Sequence, residues 1–231
     1  MLKQKLKKAL LGSGRRGRRI PFGLYRGLTL SIDPASEMGL WLGSYEAETT
    51  PWLRKAGTRA RSMVDVGSGY GEMTAWALHQ PNMEQVLAYD SKAQRWTIFR
   101  ENMRLNGFAD DSRLKSFEGY FLGNKEDSDS LELLESMPEP ILFKIDIDGG
   151  EEVVLNNMRP LLDSRRCLLL VETHSEPLDA ACGNILRSAG YHVQSIGPAW
   201  WRSFLSERRP IGFNQWIAAE RPVRPVVDRM I

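Results

Sequence analysis

Five short apolar runs, most of them separated by stretches of helical periodicity, dominate the middle of this chain. They are "SMVDV" (62–66), "QVLAY" (85–89), "RLKSF" (113–117), "ILFKIDI" (141–147) and "CLLLVET" (167–173). Runs of this length with little polar alternation are expected for strands covered on both faces, as in a parallel sheet. Between them Trp96, Phe99 and Met103 recur at helical spacing, as do Val154, Met158 and Leu161, and then Leu178, Cys182, Ile185 and Ala189. Strands alternating with such helices, joined by right-handed crossovers, predict an α/β fold built on a doubly wound, mostly parallel sheet. The closing segments "YHVQSI" and "GFNQWIAAE" read as two strands joined by a loop, which predicts an antiparallel strand at the C-terminal end of the sheet.

The chain of 231 residues suits one domain, with 42% hydrophobic residues to fill its core. No apolar run reaches the ~20 residues of a membrane span. Cys167 and Cys182 lack a metal-binding or redox spacing, which fits a reducing compartment and a cytoplasmic location. The net charge of +2 conceals an asymmetry. Lys3, Lys5, Lys7, Lys8, Arg15, Arg16, Arg18 and Arg19 all precede the first acid, Asp33, so a basic arm precedes an acidic body. The expected division is an arm over 1–19, a single domain over 20–220 and a tail over 221–231. Within the domain, 20–61 form a hairpin and a lead-in helix, and 62–220 form the core. The hairpin is expected to turn near Gly23 or Arg26–Gly27. The arm lacks the apolar segment of a secretory signal, and its freedom from acids also matches organelle transit peptides. Leu2, Leu6 and Leu10 would share one helix face among lysines, which suits either a peripheral contact with an anionic membrane or a solvated basic terminus.

The segment "VDVGSGYG" places Gly67, Gly69 and Gly71 between the first core strand and a helix. Ligands of open α/β sheets bind there, beyond the carboxyl ends of the strands. The dinucleotide pattern GxGxxG fails because Glu72 stands where its third glycine belongs, and no lysine follows to hold a polyphosphate. Asp90, 19 residues beyond Gly71, ends the second strand at the spacing of a carboxylate that reads ribose hydroxyls. A crevice with Asp65, Asp90 and no phosphate cradle suits a nucleoside bearing positive charge. S-adenosylmethionine is such a ligand.

"VDVGSGYGEMT" with "AYD" resembles the first two motifs of class I S-adenosylmethionine-dependent methyltransferases. "WLGSYEAET", "ENMRLNG", "FKIDIDGGEEVVLNNM" and "LLLVETHSE" are similar, more specifically, to the FkbM family, over roughly residues 20–220. The second glycine of "DIDGGEE" departs from the usual family pattern. The resemblance implies a Rossmann-like, seven-stranded methyltransferase fold and O-methylation of hydroxyls on sugars, glycolipids or polyketides. It implies that Gly67, Ser68, Gly69, Tyr70 and Gly71 face the methionine part of the cofactor, and that Asp90 with Ser91 faces the ribose. Glu118 and Gly119, at the end of the third core strand, would lie near adenine, with a solvated acid the alternative for Glu118. Glu46 belongs to the family's "YE" element and is a further candidate for the cofactor. Asp65 would order the loop or receive the ligand's amine.

Asp146 ends a strand at the ligand edge and is expected to contact the methyl donor or the acceptor hydroxyl. Asp148 and Glu151 have the spacing of a capping box. Lys144, inside a strand, calls for a carboxylate partner. His174 is the candidate general base, with Glu172 or Asp146 orienting its ring, since an imidazole titrates near neutrality. His79 and His192 have no partners in sequence, so no metal site is expected, although Asp146, Asp148 and Glu172 could gather a cation. Trp200, Trp201 and Phe204 would form an acceptor wall or anchor their loop. The leading expectation is an O-methyltransferase acting on a small hydroxylated acceptor. The alternatives are an RNA methyltransferase using the basic arm, which the acidic body disfavours, and a non-catalytic S-adenosylmethionine-binding protein.

Overall fold

The structure, a computed structural model, describes residues 14–122, 128–199 and 213–221. Leu2, Leu6, Leu10, Trp200, Trp201 and Phe204 lie outside them.

Seven strands form one sheet: β3 (Ser62–Val66), β4 (Gln85–Asp90), β5 (Leu114–Glu118), β6 (Ile141–Ile145), β7 (Cys167–Thr173), β8 (His192–Ile196) and β9 (Gln215–Glu220). Their order is β5-β4-β3-β6-β7-β9-β8. The first five run parallel, and β9 lies antiparallel between β7 and β8. This is the doubly wound sheet with an antiparallel C-terminal strand that the sequence predicts.

The continuous apolar character of the strands divides between two cores. Met63, Val86, Ala88, Leu142, Leu168, Leu170, Trp216 and Ala218 point to one face. Their neighbours Val64, Leu87, Phe143, Leu169, Val171 and Ile217 point to the other. The side-chain period of two thus fills both sides, so the inner strands β3, β4, β6 and β7 are apolar at nearly every position, while the edge strands β5 and β8 are largely exposed. The first face is covered by α3 (Glu72–Leu78), α4 (Trp96–Leu105) and α2 (Thr50–Gly57). The second is covered by α5 (Ser128–Glu135), α6 (Glu151–Asn157), α7 (Arg159–Ser164) and α8 (Glu176–Ser188).

The N-terminal hairpin differs from expectation. Its loop spans 20–28, but its first strand, β1, is Arg16–Arg19, inside the stretch expected to be a free arm. It pairs antiparallel with β2 (Thr29–Ile32). The strand escapes notice because it has no apolar alternation. Gly17 lies against Leu105, and Arg18 stacks its guanidinium on Trp41, 4.8 Å from the ring centre. Asn102 of α4 and Asn106, which follows the helix, accept from the backbone of Ser31 (2.7 Å) and Thr29 (2.9 Å), fixing β2 to the core. Helix α1 (Pro34–Trp41) was also not anticipated. Its signal is the pair Asp33–Pro34: the Asp33 carboxylate accepts from Ala35 N at 3.1 Å, with proline in the first turn.

A second correction concerns "DIDGGEE". Strand β6 ends at Ile145, so Asp146 begins a loop. Asp148 is not a cap: it has φ 61°, and Gly150 precedes α6 with no side-chain cap. Glu151 does not complete the expected box either, since it bonds the residues on both sides of Asp148 rather than Asp148 itself. Its buried carboxylate accepts from Ile147 N (3.0 Å) and Gly149 N (3.0 Å), holding the loop from within.

Candidate active site

Strands β3 and β6 are neighbours whose following connections diverge to opposite sides of the sheet. This is the switch point at which a doubly wound sheet opens a crevice. The backbones after the two strands touch there. Asp146 N donates to Val66 O at 2.9 Å, and a Cβ on Gly67, whose φ is 82°, would collide with Asp146 O. Glycine is required at that position by both conformation and space.

A cavity of about 250 Å³ opens at this point. Its walls come from the glycine turn (Gly67 to Tyr70), Asp65, Glu72, Met73, Arg95, Lys144 and Asp146, with Tyr25 from the hairpin loop and Tyr45–Glu46 as a lid edge. A larger cleft of about 450 Å³ lies beside edge strand β8, between Trp52, Lys55 and His192, and contains neither the glycine turn nor Asp65, Glu72 and Asp146.

The glycine turn is tied down from three sides. Gly69 N donates to Asp90 Oδ2 at 2.9 Å. Asn102 Nδ2 donates to Tyr70 O at 2.7 Å, and Arg15 lies over the Tyr70 ring. Thr74 Oγ1 donates to Asp65 Oδ2 at 2.6 Å, joining strand β3 to helix α3. Asp65 and Thr74 thus bracket the glycine turn. The Ser68 side chain is buried, and its hydroxyl has no hydrogen-bond partner in the cavity wall. Buried hydroxyls are normally satisfied, so this one is available to a ligand.

Asp90 is buried at the end of β4, and its carboxylate also accepts from Lys92 N (2.8 Å) and Arg95 Nη1 (2.9 Å). Arg95 is a cavity residue that sequence reasoning missed, because only the turn after β4 brings it back onto Asp90. Ser91, Glu118 and Gly119 border the same sheet edge without lining the cavity. Ser91 and Glu118 are exposed, Glu118 pairs in register with Asp90, and Gly119 N donates to Asp90 O at 3.1 Å.

Acid dominates the interior of the site. Burial pushes the Asp65 pKa up to about 6 and that of Glu72 to about 7. Glu72 is a second residue missed from sequence, where it counted only as the residue that breaks the dinucleotide pattern. Lys144 Nζ stands among carboxylates, 3.3 Å from Asp146 Oδ2 and 3.6 Å from Glu172 Oε2. Burial alone would lower the Lys144 pKa, but Asp146, Glu46 and Glu172 hold it well above its ordinary value. Burial, with the charges of Glu46 and Asp146, pushes the Glu172 pKa up. Burial also opposes the Asp146 anion, yet Lys144 and His174 outweigh it and its pKa falls.

Glu46, Asp146 and Glu172 bring carboxylate oxygens within 4.8 Å of one another, so Lys144 takes the place a cation would have among them. Glu46 is held in the left-handed region (φ 47°, ψ 34°), a conformation uncommon for a residue with a side chain.

His174 follows β7, and Ser175 caps α8 as expected, accepting from Leu178 N at 3.3 Å. His174 Nε2 lies 3.4 Å from Asp146 Oδ1 and 3.9 Å from Asp148 Oδ1. Asp146 raises the His174 pKa, and partial burial offsets only part of this effect. Of the two partners considered for the ring, Asp146 is beside it, while Glu172 faces Lys144 instead. Asp146, Asp148 and His174 also place one ligand atom each within 4.8 Å of one another. Cys167 and Cys182 are buried in the core, as expected.

No protein-family model matches the chain, and no curated protein matches it in sequence. Its architecture is nonetheless similar to solved structures. An O-methyltransferase from Bacillus cereus in complex with SAH superposes with a TM-score of 0.54 at 16% identity, over 76% of this chain and 80% of that one. Precorrin-6y C5,15-methyltransferase from Geobacter metallireducens gives 0.51 at 15% identity, over 77% and 89%. Such likeness concerns the fold: the seven-stranded, mostly parallel sheet with its antiparallel C-terminal strand is the fold of class I methyltransferases.

Proposed function

We propose that the protein is an S-adenosylmethionine-dependent methyltransferase that acts on a hydroxyl of a small-molecule, sugar or glycolipid, or polyketide-like acceptor. The observation that carries this reading is the charge of the crevice. Asp65, Glu72, Glu46 and Asp146 converge on one cavity with Lys144 and Arg95 as its cations. Such a site repels phosphate and favours a ligand with positive charge, and S-adenosylmethionine carries both a sulfonium and an α-ammonium group. Asp90 stands behind the wall, holding Gly69 N and Arg95 that line it, so a ribose beside them is consistent with the reading, and the open turn at Gly69 and the unpartnered Ser68 hydroxyl suit close approach of the methionine part. Glu46 would contribute to the same cation-binding wall.

Methyl transfer from a sulfonium demands alignment and removal of one proton from the acceptor. Asp146 faces both the cavity and His174, so it joins the donor side to the proposed base. In this reading His174 takes the hydroxyl proton, Asp146 orients its ring, and Glu172 sets the position of Lys144 behind Asp146. O-methylation and the FkbM subfamily rest on the motifs in "FKIDIDGGEE" and "VETHSE". Calorimetry with S-adenosylmethionine, its demethylated product and NAD tests the cofactor; preference for NAD would reject it. Labelled methyl donor offered with hydroxylated small molecules and with RNA then separates the acceptor classes.

A further inference from the structure

Among the described residues the exposed large apolar side chains are Phe22, Leu42, Tyr45, Tyr120 and Val153. Three of these come together. Phe22 is 64% exposed in the loop between β1 and β2, and Leu42, 45% exposed, follows helix α1. The backbones beside them are in contact, since a Cβ on Gly23 would collide with Gly43 O and one on Gly43 with Phe22 O. Tyr45 stands two residues beyond, at the mouth of the acidic cavity. Single exposed apolar residues are ordinary, but a contiguous patch of them is not.

The surround of the patch is cationic. Arg19 and Arg26 are exposed on the hairpin that carries Phe22, and exposed Arg54 donates to Gly23 O at 3.0 Å. No acid occurs before Asp33, and the lysines of residues 1–13 continue the same charge in sequence. Exposed aromatic and aliphatic side chains on a hairpin and its neighbouring turn that also carry exposed arginines match the layered chemistry of an anionic bilayer: apolar groups reach the acyl boundary while guanidinium groups meet the phosphates. Nucleic acid matches less well, because a convex aliphatic such as Leu42 offers nothing to a base or a phosphate.

We propose that the β1–β2 hairpin tip, with Phe22 and Leu42 as wedges and Arg19, Arg26 and Arg54 as its cationic rim, docks the protein on an anionic lipid surface. The docking places the mouth of the cavity at that surface. The inference stands on the patch itself and does not require the methyl-transfer reading.

The full-length chain is tested by co-sedimentation with vesicles of phosphatidylcholine alone and of phosphatidylcholine with phosphatidylglycerol. The expected result is partition onto the anionic vesicles alone, reduced about tenfold by Phe22→Ser with Leu42→Ser and again about tenfold by Arg19→Glu with Arg26→Glu. Thermal melting and affinity for S-adenosylmethionine or its product, measured on the same variants, are expected to match the wild type. That match separates lost docking from lost folding. Wild-type levels of vesicle binding in both variants, no vesicle binding by the wild type, or tighter binding of the wild type to single-stranded RNA than to vesicles would each overturn the proposal.

Discussion

His174 Nε2 and Asp146 Oδ1 face each other across 3.4 Å at the ends of neighbouring strands β7 and β6, with the Lys144 ammonium on the far oxygen of the same carboxylate. One aspartate thus joins a titratable ring to a buried cation. If His174 is the base, its replacement by alanine is expected to lower turnover by roughly 10²–10⁴-fold with little change in cofactor affinity. The carboxylate stabilises the imidazolium, so the ring is neutral only above a raised pKa. The wild-type rate is therefore expected to rise with pH along a limb centred above the ordinary imidazole value of about 6.5. Asp146→Asn is expected to move that limb downward, and a rate profile of the two variants checks both statements.

Asp90→Ala removes the acceptor for Gly69 N, Lys92 N and Arg95. Affinity for S-adenosylmethionine is expected to fall by about 1.5–3 kcal/mol through loss of charge-assisted bonds. Because the same carboxylate holds the empty turn in place, the melting temperature of the unliganded protein is expected to fall as well. Calorimetry and a thermal melt separate the two effects.

The acids of the cavity predict a pH dependence of their own. Asp65 and Glu72 have folded-state pKa values of about 6 and about 7, above the ordinary carboxylate range. A raised acid binds more protons folded than unfolded, so stability is expected to decline as pH rises from about 4.5 to about 7.5. A cationic ligand prefers the ionised carboxylates and must release the protons they hold. Its affinity is expected to weaken below pH 7 by up to about tenfold per pH unit for each linked proton, read by calorimetry in buffers of different ionisation enthalpy.

Lys144→Met would leave Asp146 and Glu172 without their shared cation. Removing one partner from a buried ion cluster costs about 3–5 kcal/mol, so a clear loss of stability is expected at neutral pH. The loss is expected to shrink in acid, where the remaining carboxylates take up protons. Denaturant melts at pH 5 and pH 8 read the difference directly.

Two glycines of the turn are expected to respond differently to alanine. At Gly67 the added Cβ meets Asp146 O, so Gly67→Ala is expected to part the β3 and β6 loops and destabilise the fold. At Gly69 the nearest atom is Gly67 O at 4.0 Å, and only the φ of 59° opposes a side chain. Gly69→Ala is expected to cost about 1–2 kcal/mol of stability, with cofactor affinity lost in addition. A melt and a binding isotherm for each variant check the contrast.

Much of the architecture was legible in the chain because its determinants are local and periodic. The apolar runs of β3, β4, β6 and β7, the stripes on α4 and α8 and the glycine turn announce strand, helix and crevice, since burial on both faces of a sheet leaves no other composition. Asp90 and Asp146 could be placed at the ligand edge from strand ends alone. Local pattern did not reveal β1, a largely exposed Arg-Gly-Arg-Arg strand with no apolar residue, nor α1, whose start is marked only by Asp33–Pro34. It also assigned Asp148 a capping role that Glu151 and Gly150 make unnecessary.

The sequence by itself determined the order of strands and helices in the core from Ser62 onward, the turn at Gly67–Gly71 and the identities of the acids. Only the tertiary structure decided which of those acids share a cavity. Glu46, Asp65, Glu72 and Asp146 come from four separate segments, and their placement around Lys144, with Glu172 behind it, depends on how β3, β6 and β7 pair and where the lead-in turn closes over them. Asn102 acquires its role in the same way, by returning to Tyr70 in the glycine turn, and Arg95 by the turn after β4 that folds it onto Asp90. Ionisation follows from that assembly: a carboxylate's pKa is set by burial and by the charges within a few ångströms of it, and neither is a property of position in a chain.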